Sequence, residues 1–94
     1  MSSLLFVRVA PLALDELRAR ASARFGLDAS RAAGVRFALV QGVEALEAGA
    51  PRPAPLACLR AWPAVCVAVS AELAARVEAQ GGPRVCLAAA GVQG

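Results

Sequence analysis

Apolar positions along this chain follow two rhythms, nearly unbroken short runs and a helical stripe. Leu4-Leu5-Phe6-Val7-Arg8-Val9 is the first run and reads as a strand, stopped by Ala10-Pro11. From Leu12 to about Phe25 the rhythm changes. Leu14, Leu17, Ala21 and Phe25 recur at helical spacing, with Asp15 and Glu16 in the expected first turn and Arg18, Arg20 and Arg24 off the stripe. Gly26 interrupts this pattern, and Asp28 or Ser30 is placed to cap a further turn.

The next run, Val35 to Val40, is flanked by Gly34 and by Gln41-Gly42. A helix interior there carries two glycines, each costing about 1 kcal/mol against Ala, besides β-branched and aromatic residues. A short buried strand bounded by glycine carries no such cost, so a strand is predicted. Val43 to Ala48 reads as a short helical piece, residues 49–55 with Pro51, Pro53 and Pro55 as a loop, and Leu56 to Arg60 as one helical turn. Ala64 to Val69 is the clearest strand. Ser70 caps a helix over Ala71 to Gln80 with Glu72 near its start, Gly81-Gly82-Pro83 ends it, and Arg84 to Ala88 reads as a last strand.

The expected order is therefore β-α-β-α-β-α-β in a single domain over residues 1–94. It implies an α/β fold, a small three-layer domain with a mostly parallel central sheet. Strands apolar nearly throughout are those of a sheet covered on both faces, and alternating strands and helices imply right-handed crossovers. Ligand sites in such folds lie beyond the carboxyl ends of the strands, here Ala10-Pro11, Gln41-Gly42-Val43, Ser70-Ala71-Glu72 and Ala90-Gly91. Val-Gln-Gly occurs at both 40–42 and 92–94, which reads as coincidence in a narrow alphabet rather than as a repeat.

Composition narrows the function classes. The chain has 94 residues, is 59% hydrophobic and only 18% charged, which excludes a disordered chain. It contains no His, Lys, Tyr, Thr, Asn or Ile. That removes histidine general bases, Ser-His-Asp triads and His-ligated metals. With no Gly-rich phosphate loop and no metal-ligand cluster, no cofactor and no metal are expected. The net charge of +3 is spread over dispersed arginines, so a nucleic-acid partner is not expected either. Cys58, Cys66 and Cys86 stand among apolar neighbours without a CxxC spacing, as small buried residues in a reducing compartment do. The start lacks a basic n-region, and the longest uncharged apolar stretch, Ala61 to Val69, contains Pro63. These features imply a cytoplasmic location and no membrane partner.

Two segments resemble a known family. Phe37-Ala38-Leu39-Val40-Gln41-Gly42-Val43-Glu44-Ala45-Leu46 resembles the strand-and-turn "LLVQDGV-x-AL" pattern of the DsrE/DsrF/DsrH sulfur-relay proteins, which include the Tus subunits. Val65 to Arg76 resembles that family's third strand and helix. The resemblance implies a DsrE-like parallel α/β fold and an accessory or sulfur-carrier subunit that forms homo- or hetero-oligomers with related subunits. It places a sulfur-accepting cysteine near Val69 to Glu72, where none stands. Cys66, three residues earlier, is then the candidate catalytic residue, and Gln41, Gly42, Ser70, Glu72 and Arg76 are the candidate ligand- or partner-binding residues. The Asp of the family turn is also missing, since Gln41 is followed directly by Gly42. Persulfide transfer at Cys66 needs a thiolate, hence a nearby cation or helix N-terminus.

A rival resemblance is to ribbon-helix-helix DNA-binding regulators. Val7 to Pro11, a helix, Gly26-Leu27-Asp28 and a second helix through Leu46 follow that pattern. Leu4, Phe6 and Arg8 would then face DNA, a poor set for reading bases, and residues 50–94 would have no counterpart. The two resemblances part at Val35 to Val40, strand in one and helix in the other. A third reading is an assembly module, because so apolar a small chain implies surface buried against a partner.

Overall fold

The computed structural model describes residues 2–26, 28–57 and 59–92. Six elements follow in order: β1 (Ser2–Arg8), α1 (Pro11–Phe25), α2 (Arg31–Glu47), β2 (Ala64–Ser70), α3 (Ala71–Ala79) and α4 (Pro83–Ala89). The two strands pair antiparallel into a single ribbon, with Leu4 opposite Ala68, Leu5 opposite Val67 and Phe6 opposite Cys66. Helices α2, α3 and α4 pack against the ribbon, and α1 packs on α2. This overturns the expected three-layer domain with a mostly parallel central sheet, and with it the DsrE-like fold and its β-α-β-α-β-α-β order.

Val35 to Val40 lies inside α2, and Arg84 to Ala88 lies inside α4. The glycines explain the first difference. A Cβ on Gly34 would stand 2.9 Å from the Leu17 carbonyl carbon of α1. One on Gly42 would overlap the Cys86 carbonyl of α4. Both glycines are thus points of closest backbone approach between helices, and the packing gained there offsets their poor helix propensity. Val35, Ala38, Leu39, Val43 and Leu46 are all buried, so α2 is the central helix, packed between α1 and α4. Val43 to Ala48, expected as a separate piece, continues the same helix and its cap.

Local signals set the helix boundaries. Pro11 occupies the first turn of α1, and Gly26 (φ 71°) closes it in the left-handed conformation with its N–H on the Ser22 carbonyl. Pro11 also moves Asp15 and Glu16 out of the first turn, where they were expected. The Ser30 and Ser70 hydroxyls accept from Ala33 N–H and Leu73 N–H at the starts of α2 and α3. The expected helical turn at Leu56 to Arg60 is absent. Leu56 and Ala57 are irregular, a turn at Arg60-Ala61 closes with Trp62 N–H on the Leu59 carbonyl, and Cys58 lies outside the described residues.

The chain folds as two β-α-α halves. Val7, Val9, Ala13 and Leu17 are buried in the first half, and Val67, Val69, Leu73 and Val77, each sixty positions later, are buried in the second. At the second helix the spacing becomes fifty-two. It carries the cap Ser30 onto Gly82 and the buried Val35 onto the buried Leu87. Val-Gln-Gly at 40–42 and 92–94 has this same spacing in the sequence, and of the second occurrence only Val92 lies within the described residues. The halves meet twice: their strands form the ribbon, and their second helices, α2 and α4, pack together.

Candidate functional site

Successive strand residues point to opposite faces, and the ribbon divides accordingly. On the inner face Val7, Val65, Val67 and Val69 are buried against the helices, with Leu5 packed beside them. On the outer face Leu4 and Phe6 from β1 are 60% and 69% exposed. Ala64, Cys66, Ala68 and Ser70 from β2 are exposed on that face too. The middle of the outer face is therefore apolar like the inner face, between Ser2 and Ser70 at one end and Arg8 and Ala64 at the other, and the described fold covers only the inner face.

The expected catalytic residue, Cys66, stands at the middle of the outer face opposite Phe6. Among the described residues, no side-chain hydrogen bond reaches its thiol. It lies four positions before the helix N-terminus at Ser70, on an extended strand. Cys86 is a buried free thiol in α4, and burial pushes its pKa up, which keeps it neutral. The surroundings of Cys86 are not those that make a thiolate. Of the cysteines expected to be buried, Cys86 is buried, Cys66 is exposed, and Cys58 lies outside the described residues.

The expected binding residues fall at separate places. Ser70 is spent on capping α3, and Glu72 is exposed in that helix's first turn. Arg76 forms a bidentate pair with Glu47 at the end of α2, at 3.0 Å from Nε and 2.5 Å from Nη2. The pair lowers the Glu47 pKa and raises that of Arg76, chiefly through their shared hydrogen bonds. Gly42 is buried at the α2–α4 crossing, while its neighbour Gln41 is exposed and lines a groove between α1 and α2. That half-open groove, about 840 Å³, also carries Phe25 and Phe37 packed edge to face with centroids 5.4 Å apart. Arg24, Arg36, Asp28 and Glu44 around its rim give it mixed charge.

Six of the ten arginines are engaged with the backbone of the fold. Arg8, Arg18, Arg20, Arg36, Arg52 and Arg84 each donate to a main-chain carbonyl. Arg8 is the one charged side chain in the outer row of β1. Its Nη1 donates to the Arg60 and Trp62 carbonyls at 3.0 and 2.8 Å, which draws it to the loop before β2. Arg36 Nε reaches from α2 to the Ala68 carbonyl at 2.9 Å and occupies an acceptor on the strand edge. The sequence placed Leu4, Phe6 and Arg8 on one outward row. It gave no sign that Arg8 would be withdrawn, because its acceptors are carbonyls of irregular backbone.

Among the described residues there is no group of side chains suited to a metal, and no helix is long and apolar enough to cross a membrane. No protein-family model matches the sequence, and comparison with curated proteins and with solved structures finds no match.

Proposed function

We propose that this protein is a non-catalytic docking module that binds a protein surface through the outer face of its ribbon. The observation that carries this reading is the two-sided apolar character of β1 and β2 with cover on one side only. Strands apolar on both faces belong to sheets packed on both faces. Here the second cover lies outside the described fold, and a protein surface of matching apolar character supplies it. The withdrawal of Arg8 and the small side chains of β2 leave the face without the groups that read bases.

A second reading, a ribbon-helix-helix DNA-binding regulator, is favoured by one observation: each half runs strand-helix-helix and the two strands pair antiparallel. The chemistry of the outer face does not support it, and the arginines engaged with carbonyls leave few to meet phosphates.

Two titrations test the choice. Protein diluted to about 1 µM should brighten an anilinonaphthalene sulfonate dye, and Phe6→Ser should reduce that signal several-fold, since a patch this small loses its largest apolar group. A fluorescent duplex at about 50 mM salt should show no saturable anisotropy change. Saturable binding that weakens steeply with salt, and that is blocked by alkylating Cys66, would overturn the protein-docking reading in favour of DNA.

A further inference from the structure

We propose that the surface covering the ribbon is a second copy of this chain, seated face to face with the strand directions kept, so that β1 of each copy lies over β2 of the other. This rests on the docking reading above and names the partner. The outer side chains are sorted by size. β1 carries the large ones, Leu4 and Phe6, and β2 carries the small ones, Ala64, Cys66 and Ala68. The register sets them side by side, Leu4 with Ala68 and Phe6 with Cys66. The face is therefore a ridge beside a trough.

A two-fold axis parallel to the strands carries ridge onto trough. Because paired residues share a level along the strands, Leu4 then meets the partner's Ala68, and Phe6 meets the partner's Cys66. An in-plane axis perpendicular to the strands would set ridge on ridge. Charge is confined to one end of the contact: each copy carries +3, and Arg8, the one charged side chain of the outer rows, is drawn aside onto the Arg60 and Trp62 carbonyls. On β2, Arg36 already occupies the Ala68 carbonyl, which weakens strand addition there.

Area sets the strength. A seven-residue, two-strand ribbon measures about 24 by 10 Å in plan. That is well below the roughly 800 Å² per partner of a standard stable interface. The dimer is accordingly weak and in fast exchange, with a dissociation constant on the order of 100 µM.

Sedimentation equilibrium from about 5 µM to 1 mM should move the wild type from monomer toward dimer. Phe6→Ser should stay monomeric, with its circular dichroism unchanged because Phe6 is exposed. Ala68→Leu separates seating from stickiness. It adds apolar surface, so general hydrophobic association would tighten, whereas a filled trough should weaken dimerisation at least about tenfold. Exchanging the sizes at that level, Leu4→Ala with Ala68→Leu, should restore it to within about threefold of wild type. A wild type that remains monomeric near 1 mM, or an Ala68→Leu that associates as tightly or more tightly, overturns the proposal. If the monomeric wild type still brightens the dye in a Phe6-dependent way, only the second copy is excluded as partner. If it does not, the docking reading falls with it.

Discussion

The two faces of the ribbon have similar composition and different fates. The inner face, with Val7, Val65, Val67 and Val69, is closed by α2, α3 and α4, and the outer face, with Leu4, Phe6, Ala64, Cys66 and Ala68, is open. In a half-exposed antiparallel ribbon the outer row is ordinarily polar, and a strict alternation results. Here the alternation is one of burial alone, not of polarity. An apolar strand therefore reports that two faces want cover, without saying whether both covers belong to the same chain.

Substitutions at adjacent positions break this comparison most sharply. Val67→Asp places a carboxylate in the closed core without a partner and should unfold the protein, at a cost of roughly 4 kcal/mol or more. Cys66→Asp, one residue away on the open face, should change monomer stability by less than about 1 kcal/mol in urea melts of dilute protein. Equal losses from the two would mean that the outer face is covered within the chain.

Gly42→Ala comes next. The added methyl would overlap the Cys86 carbonyl, and two helix backbones have little freedom to yield, so a loss of about 3 kcal/mol is expected. Gly34→Ala should cost less, since its closest contact is looser at 2.9 Å. A helix-stabilising effect of Gly42→Ala would refute the α2–α4 crossing.

Thiol chemistry reads the same comparison without mutation. Native protein treated with a maleimide should be alkylated at Cys66 and protected at Cys86, with rates about a hundredfold or more apart by peptide mass mapping. The two serine caps give a smaller effect. Ser30→Ala and Ser70→Ala should each cost about 1 kcal/mol, since each hydroxyl caps the start of one helix.

The smallest effect is expected from the Arg76–Glu47 pair. Its groups are solvent-exposed, so Glu47→Gln should shift stability only marginally at neutral pH. The sign follows from the lowered Glu47 pKa. Its contribution is present above the ordinary glutamate value of about 4.3 and is lost as pH falls through the lower folded value. Glu47→Gln should flatten that acid limb slightly.

Much of the local structure was legible in the residues. β1, α1, β2 and α3 follow from the apolar runs, the stripe at Leu14, Leu17 and Ala21, the Gly26 stop and the Ser70 cap. The fold was not. Gly34 and Gly42 weigh against a helix on propensity, and their compensation is a close approach by α1 and α4 that no local pattern records. The short α4, PRVCLAA, is buried along Val85, Cys86 and Leu87 in succession, so it lacks the stripe that separates helix from strand. The candidate site was half visible. Leu4, Phe6 and Arg8 share a row by alternation alone, but the pairing of Phe6 with Cys66 needs the antiparallel register. A parallel sheet would have hidden both.

The most direct test of a second copy on the open face is the concentration dependence of backbone amide shifts between about 20 µM and 1 mM, the range in which a weak interface exchanges. The account predicts fast-exchange shifts at Leu4, Phe6, Ala64, Cys66 and Ala68, with Phe25, Phe37 and Gln41 in the α1–α2 groove unmoved. Shifts confined to that groove, or none on the ribbon across the range, would contradict it.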